Sequence, residues 1–204
     1  KKKTVRKSVI LCGEICNFVN VTLILLNMTN IANAQNPFFE KYTTPYGTVP
    51  FDKIKNEHYE PAIREGISRQ AAEIDAIVNN PEAPTFANTI LAYEKSGELL
   101  DRVTTVFGNL RSAETNDDLQ KIAQEMIPLL SEHSNNISLN QELFERIKDV
   151  YGQKDSIELT PEQTKLLENA YNGFIRRGAN LQGEAKEKYR ELTKNLSKLT
   201  LDFS

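Results

Sequence analysis

The feature that most constrains this chain is the run from Pro84 to Gln120, PTFANTILAYEKSGELLDRVTTVFGNLRSAETNDDLQ. Its positions Phe86, Ile90, Tyr93, Gly97, Leu100, Val103, Phe107 and Leu110 advance by threes and fours. That spacing keeps the side chains on one side of a helix, so the run predicts a single long helix with one apolar stripe that another element must cover. Thr85 can cap its start, because a hydroxyl there accepts a first-turn amide. Asn116 can cap a following helix whose first turn carries Asp117 and Asp118, acids that suit the positive end of a helix dipole.

The same period recurs on both sides. Residues 60–79 place Pro61 in a first turn ahead of Ile63, Ile67, Ala71, Ile74 and Ile77, and Asn79-Asn80-Pro81 stops the pattern. Residues 117–138 align Leu119, Ile122, Ala123, Met126, Leu130 and Ile137 but enclose Pro128, which predicts a kink, since an interior proline costs about 3 kcal/mol in an unadapted helix. Asn140 caps a shorter helix carrying Leu143, Phe144, Ile147 and Val150, closed by Gly152. Thr160-Pro161-Glu162-Gln163 combines a cap, a first-position proline and a box residue, and Gly178 closes that helix. The last helix begins at Gly183 or Glu184 and carries Tyr189, Leu192, Leu196, Leu199 and Phe203 up to Ser204. An amphipathic pattern that stops in mid-stripe, with Leu201 and Phe203 still to be buried, is expected to continue in the natural polypeptide. No strand alternation and no repeat at periods of 20–50 residues appears. The expectation is an all-α assembly of about six amphipathic helices.

Ahead of the helices the character changes twice. Residues 1–34 read as a signal peptide: Lys1, Lys2, Lys3, Arg6 and Lys7, then an apolar stretch ending at Leu26, then Ala32-Asn33-Ala34 as a cleavage site. Its frequent asparagines argue against a spanning anchor, which wants about 20 mostly apolar residues. Residues 35–51 hold three prolines and no helical period, so they read as an extended arm with Phe38, Phe39, Tyr46 and Phe51 as anchors. Residues 52–204 form the helical domain.

Composition narrows the function by exclusion. A formal charge of -3 with no Trp offers no basic field for a phosphate backbone, so nucleic acid is not an expected partner. Cys12 and Cys16 both fall in the signal, so the rest of the chain has no thiol nucleophile and no disulfide. His58 and His133 are far apart, and each follows a glutamate directly rather than pairing with a histidine at i+4, so neither reads as a zinc ligand. The nine glycines form no phosphate loop, and GxSxG is missing. Pairs such as Glu94/Glu98 or Asp117/Lys121 read as one solvated helix face. Arg176 and Arg177 suit a helix C-terminus, with a substrate carboxylate as the alternative. No catalytic, cofactor-binding or metal residue is assigned.

Several runs together carry a resemblance: NPFF, PFDKIKNEHYEPAI, IDAIVNNPEAPTFANTI, AYEKSGELLDRVTTVFGNLRSAETNDDLQ, LNQELFERIKDVY and ANLQGEAKEKYRELTKNLSKLTLDFS. Over residues 36–204 the chain resembles the N-terminal region of the M3 family of zinc oligopeptidases, most closely the peptidyl-dipeptidase (dipeptidyl carboxypeptidase) branch. The resemblance implies a two-lobed, almost all-helical monomer whose halves enclose a deep channel for short peptides. It also implies a Zn(2+) ion bound by HExxH and a further glutamate in a C-terminal catalytic domain, none of which this sequence contains. The expected role of this segment is therefore channel wall and size filter, inactive alone, with C-terminal dipeptides as products of the whole enzyme. The signal is expected to direct it to the periplasm. The alternative is a secreted, non-catalytic helical binding module.

Overall fold

The computed structural model describes residues 36–203. The signal peptide expected at 1–34, with Cys12 and Cys16, lies outside the described residues. Those that are described fall into two units, one ending at Ile54 and one beginning at Lys55.

The first unit contains the expected arm, extended and interrupted by 3-10 turns at Pro37–Phe39 and Pro45–Gly47. Asn36 caps the first turn, its side chain accepting the Phe38 amide at 3.1 Å. Phe38 is buried and Phe39 half-buried, but the other two expected anchors are not anchors: Tyr46 is fully exposed and Phe51 is 57% exposed. Tyr46 takes a left-handed φ of 60° between Pro45 and Gly47, and the turn closes through Gly47 N–H to the Thr44 carbonyl.

The second unit is helical throughout, with no strand among the described residues, as the apolar periods predict. A 3-10 turn at Asn56–His58 leads into α1, Tyr59–Val78. Then come a π-helical stretch Phe86–Leu91 with one further α-turn Ala92–Lys95, α2 at Glu98–Ala113, α3 at Asp117–Ser138, α4 at Gln141–Gly152, α5 at Pro161–Arg176 and α6 at Gly183–Asp202. The expected caps form. Asn116, Asn140 and Thr160 each accept the amide three residues on, and Gln163 returns a bond to the Thr160 amide. Pro128 lies inside α3; the amide it lacks leaves the Gln124 carbonyl without its helical partner, on an exposed position that solvent reaches.

The single long helix expected from Thr85 onward is two pieces. Ser96 is extended, with ψ 144°, and Gly97 takes φ 78°, so the helix stops and restarts. Both halves of the break are held from α1: Gly97 N–H donates to Glu73 Oε2 at 2.7 Å, and Gln70 Nε2 donates to the Ser96 carbonyl at 3.4 Å. The Ser96 hydroxyl also caps the Tyr93 carbonyl at 2.7 Å. Gly97, which the spacing counts as part of the stripe, is instead the left-handed residue that lets the chain turn.

Helices pack in pairs: α1 on α2, α3 on α6, and α4 on α5, with α1 also touching α3 and α4. α1 and α2 meet at Gly66, where a Cβ would come within 2.9 Å of the Leu100 Cα, so the backbones approach too closely for any side chain. One core joins Ile74 and Ile77 of α1 to Ile90, to Leu143, Phe144 and Ile147 of α4, and to Leu167 and Phe174 of α5. Aromatic rings knit the α4/α5 pair: Tyr151 stacks on Tyr171 at 3.9 Å and Phe144 on Phe174 at 6.1 Å between centroids. Arg146 ties α4 to the turn after α1 through the carbonyls of Asn80 and Glu82 at 3.0 and 3.2 Å.

Candidate functional site

The helix break is where polar groups gather. A groove of about 930 Å³ runs beside it, lined among others by Gln70, Glu94, Ser96, Glu98, Asp101 and Leu130. A second hollow of about 410 Å³ lies on the other side of Lys95 and Ser96, against Glu73, Asn80 and Asn88. A third, about 390 Å³, lies between α1 and α3 and is lined by Arg64, Glu132 and His133.

Glu94 and Glu98 do share a wall of the larger groove, but not as i, i+4 neighbours on one helix, because the break falls between them. The turn at Ser96–Gly97 brings Glu94 to the groove that Glu98 and Asp101, i, i+3 neighbours on α2, also line. Asp117, exposed in the first turn of α3, sits as the solvated-face reading expects.

His133 is buried on α3, and its Nε2 lies 2.8 Å from Gln70 Oε1. An amide oxygen only accepts, so the ring carries its proton on Nε2. The other end of the same amide reaches the Ser96 carbonyl. One glutamine thus bridges α1, α3 and the helix break. Burial holds the His133 imidazole below its ordinary pKa, so the neutral form is the one the fold accommodates. His58 is engaged elsewhere: its Nδ1 accepts the Lys55 amide at 3.0 Å, and its Nε2 is 4.0 Å from Glu57.

A general base must reach a nucleophile or a water held for attack, and His133 instead faces an amide that neither gives nor takes a proton. No cluster of three or more His, Cys, Asp or Glu side chains able to hold a metal ion is found among the described residues. Arg176 and Arg177 are exposed at the end of α5, as a dipole-facing pair should be. Arg177 also opposes the rise in pKa that burial imposes on the Tyr93 hydroxyl, so its charge reaches the 86–95 segment. Sequence reasoning missed Gln70 and Glu73, which organise the break. Gln70 falls inside the Ile63, Ile67, Ile74 and Ile77 stripe of α1, so a polar residue in the apolar register was the signal that could have found it, whereas Glu73 lies at the exposed side of the helix and nothing in its spacing marks it.

No family model matches the chain. Over 169 residues it is 43% identical to the dipeptidyl carboxypeptidase of Escherichia coli and 40% identical to that of Salmonella typhimurium, in each case across 83% of this chain and 25% of the relative. Against the oligopeptidase A of Haemophilus influenzae the identity is 28% over 158 residues, covering 78% of this chain and 23% of the relative. The chain therefore spans about a quarter of the length of the curated relatives it matches.

Proposed function

We propose, for a chain that belongs to the M3 peptidase family beside its dipeptidyl carboxypeptidases, that these helices are the non-catalytic scaffold of an enzyme releasing dipeptides from the C-termini of short peptides. The observation that carries this reading is the gradient of identity, 43% and 40% to two dipeptidyl carboxypeptidases against 28% to an oligopeptidase A. In this role the helical unit forms one wall and rim of a channel that admits unfolded peptides and turns folded proteins away. Rigidity is what such a wall needs, and the capped, mutually packed helices and the α1-held break provide it.

A zinc ion, when bound in the whole protein, would polarise the scissile carbonyl and supply the attacking water. The described residues do not fit it. His133 Nε2 is committed to Gln70, His58 Nδ1 to a backbone amide, and neither has two further ligands beside it. No step is therefore routed through this segment; its residues exclude and orient. Export to the periplasm, from the signal-like residues 1–34, completes the proposal.

The test is a peptidase assay on the full-length protein with an N-blocked tripeptide. The expected outcome is release of the C-terminal dipeptide, abolished by a strong chelator and restored by Zn(2+), with no cleavage of a folded protein. An absence of cleavage with zinc supplied would remove the enzyme reading and leave a helical binding module. Attack on folded protein would remove the size filter.

A further inference from the structure

α6 turns the unexpected side to its neighbour. Its contacts with α3 are polar: Asn135 Nδ2 donates to Thr193 Oγ1 at 2.7 Å, the Ser197 and Ser131 hydroxyls lie 2.9 Å apart, and Arg190 Nη1 donates to Asn136 Oδ1 at 2.8 Å. Tyr189 and Leu201 are half-buried, but four large apolar side chains look outward. Leu192, Leu196 and Leu199 are 58%, 63% and 56% exposed, and Phe203 is 93% exposed. At about 100° per residue the four fall within about 60° of arc, a single unbroken stripe. Surfaces that expose such a row mark an interaction site.

Three properties choose the occupant. The stripe is one side chain wide and about 17 Å long, too small to supply the roughly 800 Å² per partner that a stable association of two separate chains requires. α6 carries five Lys or Arg interleaved with four Glu or Asp, and its Arg190 is already bonded to α3, so its near-balanced polar side is not the Lys/Arg comb of a helix lying on a membrane. A partner in the same polypeptide, by contrast, loses little association entropy, so a small apolar seat is enough. The relatives are about four times as long as the part this chain matches, which leaves ample sequence for such a partner.

We infer that the Leu192, Leu196, Leu199 and Phe203 stripe is the seat on which the catalytic part of the same polypeptide docks. The inference rests on the proposed function, in which this chain is one part of a larger peptidase. α6 is then the joint between scaffold and catalytic machinery: its hydroxyls fix it to α3, and its leucines receive the other half.

The test uses the full-length protein with Cys12 and Cys16 replaced by serine. Single cysteines are placed by Leu196→Cys and Leu199→Cys on the stripe and by Lys194→Cys off it, and maleimide labelling rates are compared. Labelling at 196 and 199 should be at least tenfold slower than at 194, unaffected by dilution and by anionic lipid vesicles. Equal rates overturn the inference. So does protection that disappears on dilution, which assigns the seat to a second copy, or protection that appears only with vesicles. Hydroxyl-radical oxidation of Phe203 in the unsubstituted protein gives the same answer should a cysteine variant misfold: native and denatured rates that match would also overturn it. The tripeptide assay on the same samples separates the two claims, since free labelling with intact cleavage sinks the docking inference alone.

Discussion

Gly97 shows how much one residue can hold. At φ 78° it occupies backbone space that side chains rarely enter, and a Cβ added there would come within 2.2 Å of Gln70 Nε2. Gly97→Ala therefore strains the turn and pushes away the amide that joins Ser96 to His133. Destabilisation by about 1–3 kcal/mol is expected in urea unfolding. Gly108→Ala is the matched control, because Gly108 lies inside α2 with nothing within 4 Å of the added Cβ. It should be neutral or stabilising by up to about 1 kcal/mol. Equal effects at both sites would show that the break has no special geometry. The sequence displayed Gly97 in the right register for a helical stripe, and periodicity alone has no means of distinguishing an apolar filler from a left-handed hinge.

At the scale of elements, the helix starts were the most legible parts. A cap is a local event: a side-chain oxygen meets an amide three residues away, so the sequence contains both partners. Thr160 and Gln163 are the fullest example, each bonding the other's backbone at 3.3 and 3.0 Å. Thr160→Ala should lower unfolding stability by about 1 kcal/mol, read as a lower urea midpoint at unchanged slope. A shift below about 0.3 kcal/mol would mean that α5 is held by its packing alone. Thr85 caps in the same manner with Asn88 as the reciprocal partner, but the turn it opens is π-helical. Where the chain leaves helical geometry was illegible, because the groups that hold the Ser96–Gly97 break, Gln70 and Glu73, are more than twenty residues upstream.

At the scale of the molecule, the Gln70 bridge couples three elements to one titrating group. Burial lowers the His133 pKa from 6.5, so the unfolded chain binds that proton more readily than the folded one. Stability is then intact above about pH 6.5 and falls as pH drops below it towards the folded-state pKa. Urea midpoints measured between about pH 5 and 8 should show this decline, and His133→Gln, which keeps a donor for the Gln70 oxygen, should flatten it. An unchanged slope in the variant would assign the acid sensitivity to other groups.

By itself the sequence determined that this protein is helical, where most helices begin, and which family it resembles, because periodicity, caps and shared runs are written along the chain. The tertiary structure alone decided that the long stripe is broken and that Tyr46 and Phe51 stay exposed. It also decided that α6 gives its hydroxyls to α3 and turns Leu192, Leu196 and Leu199 away from it. Amphipathic spacing fixes that a helix has two sides, but which side meets a neighbour depends on what the rest of the chain brings within reach.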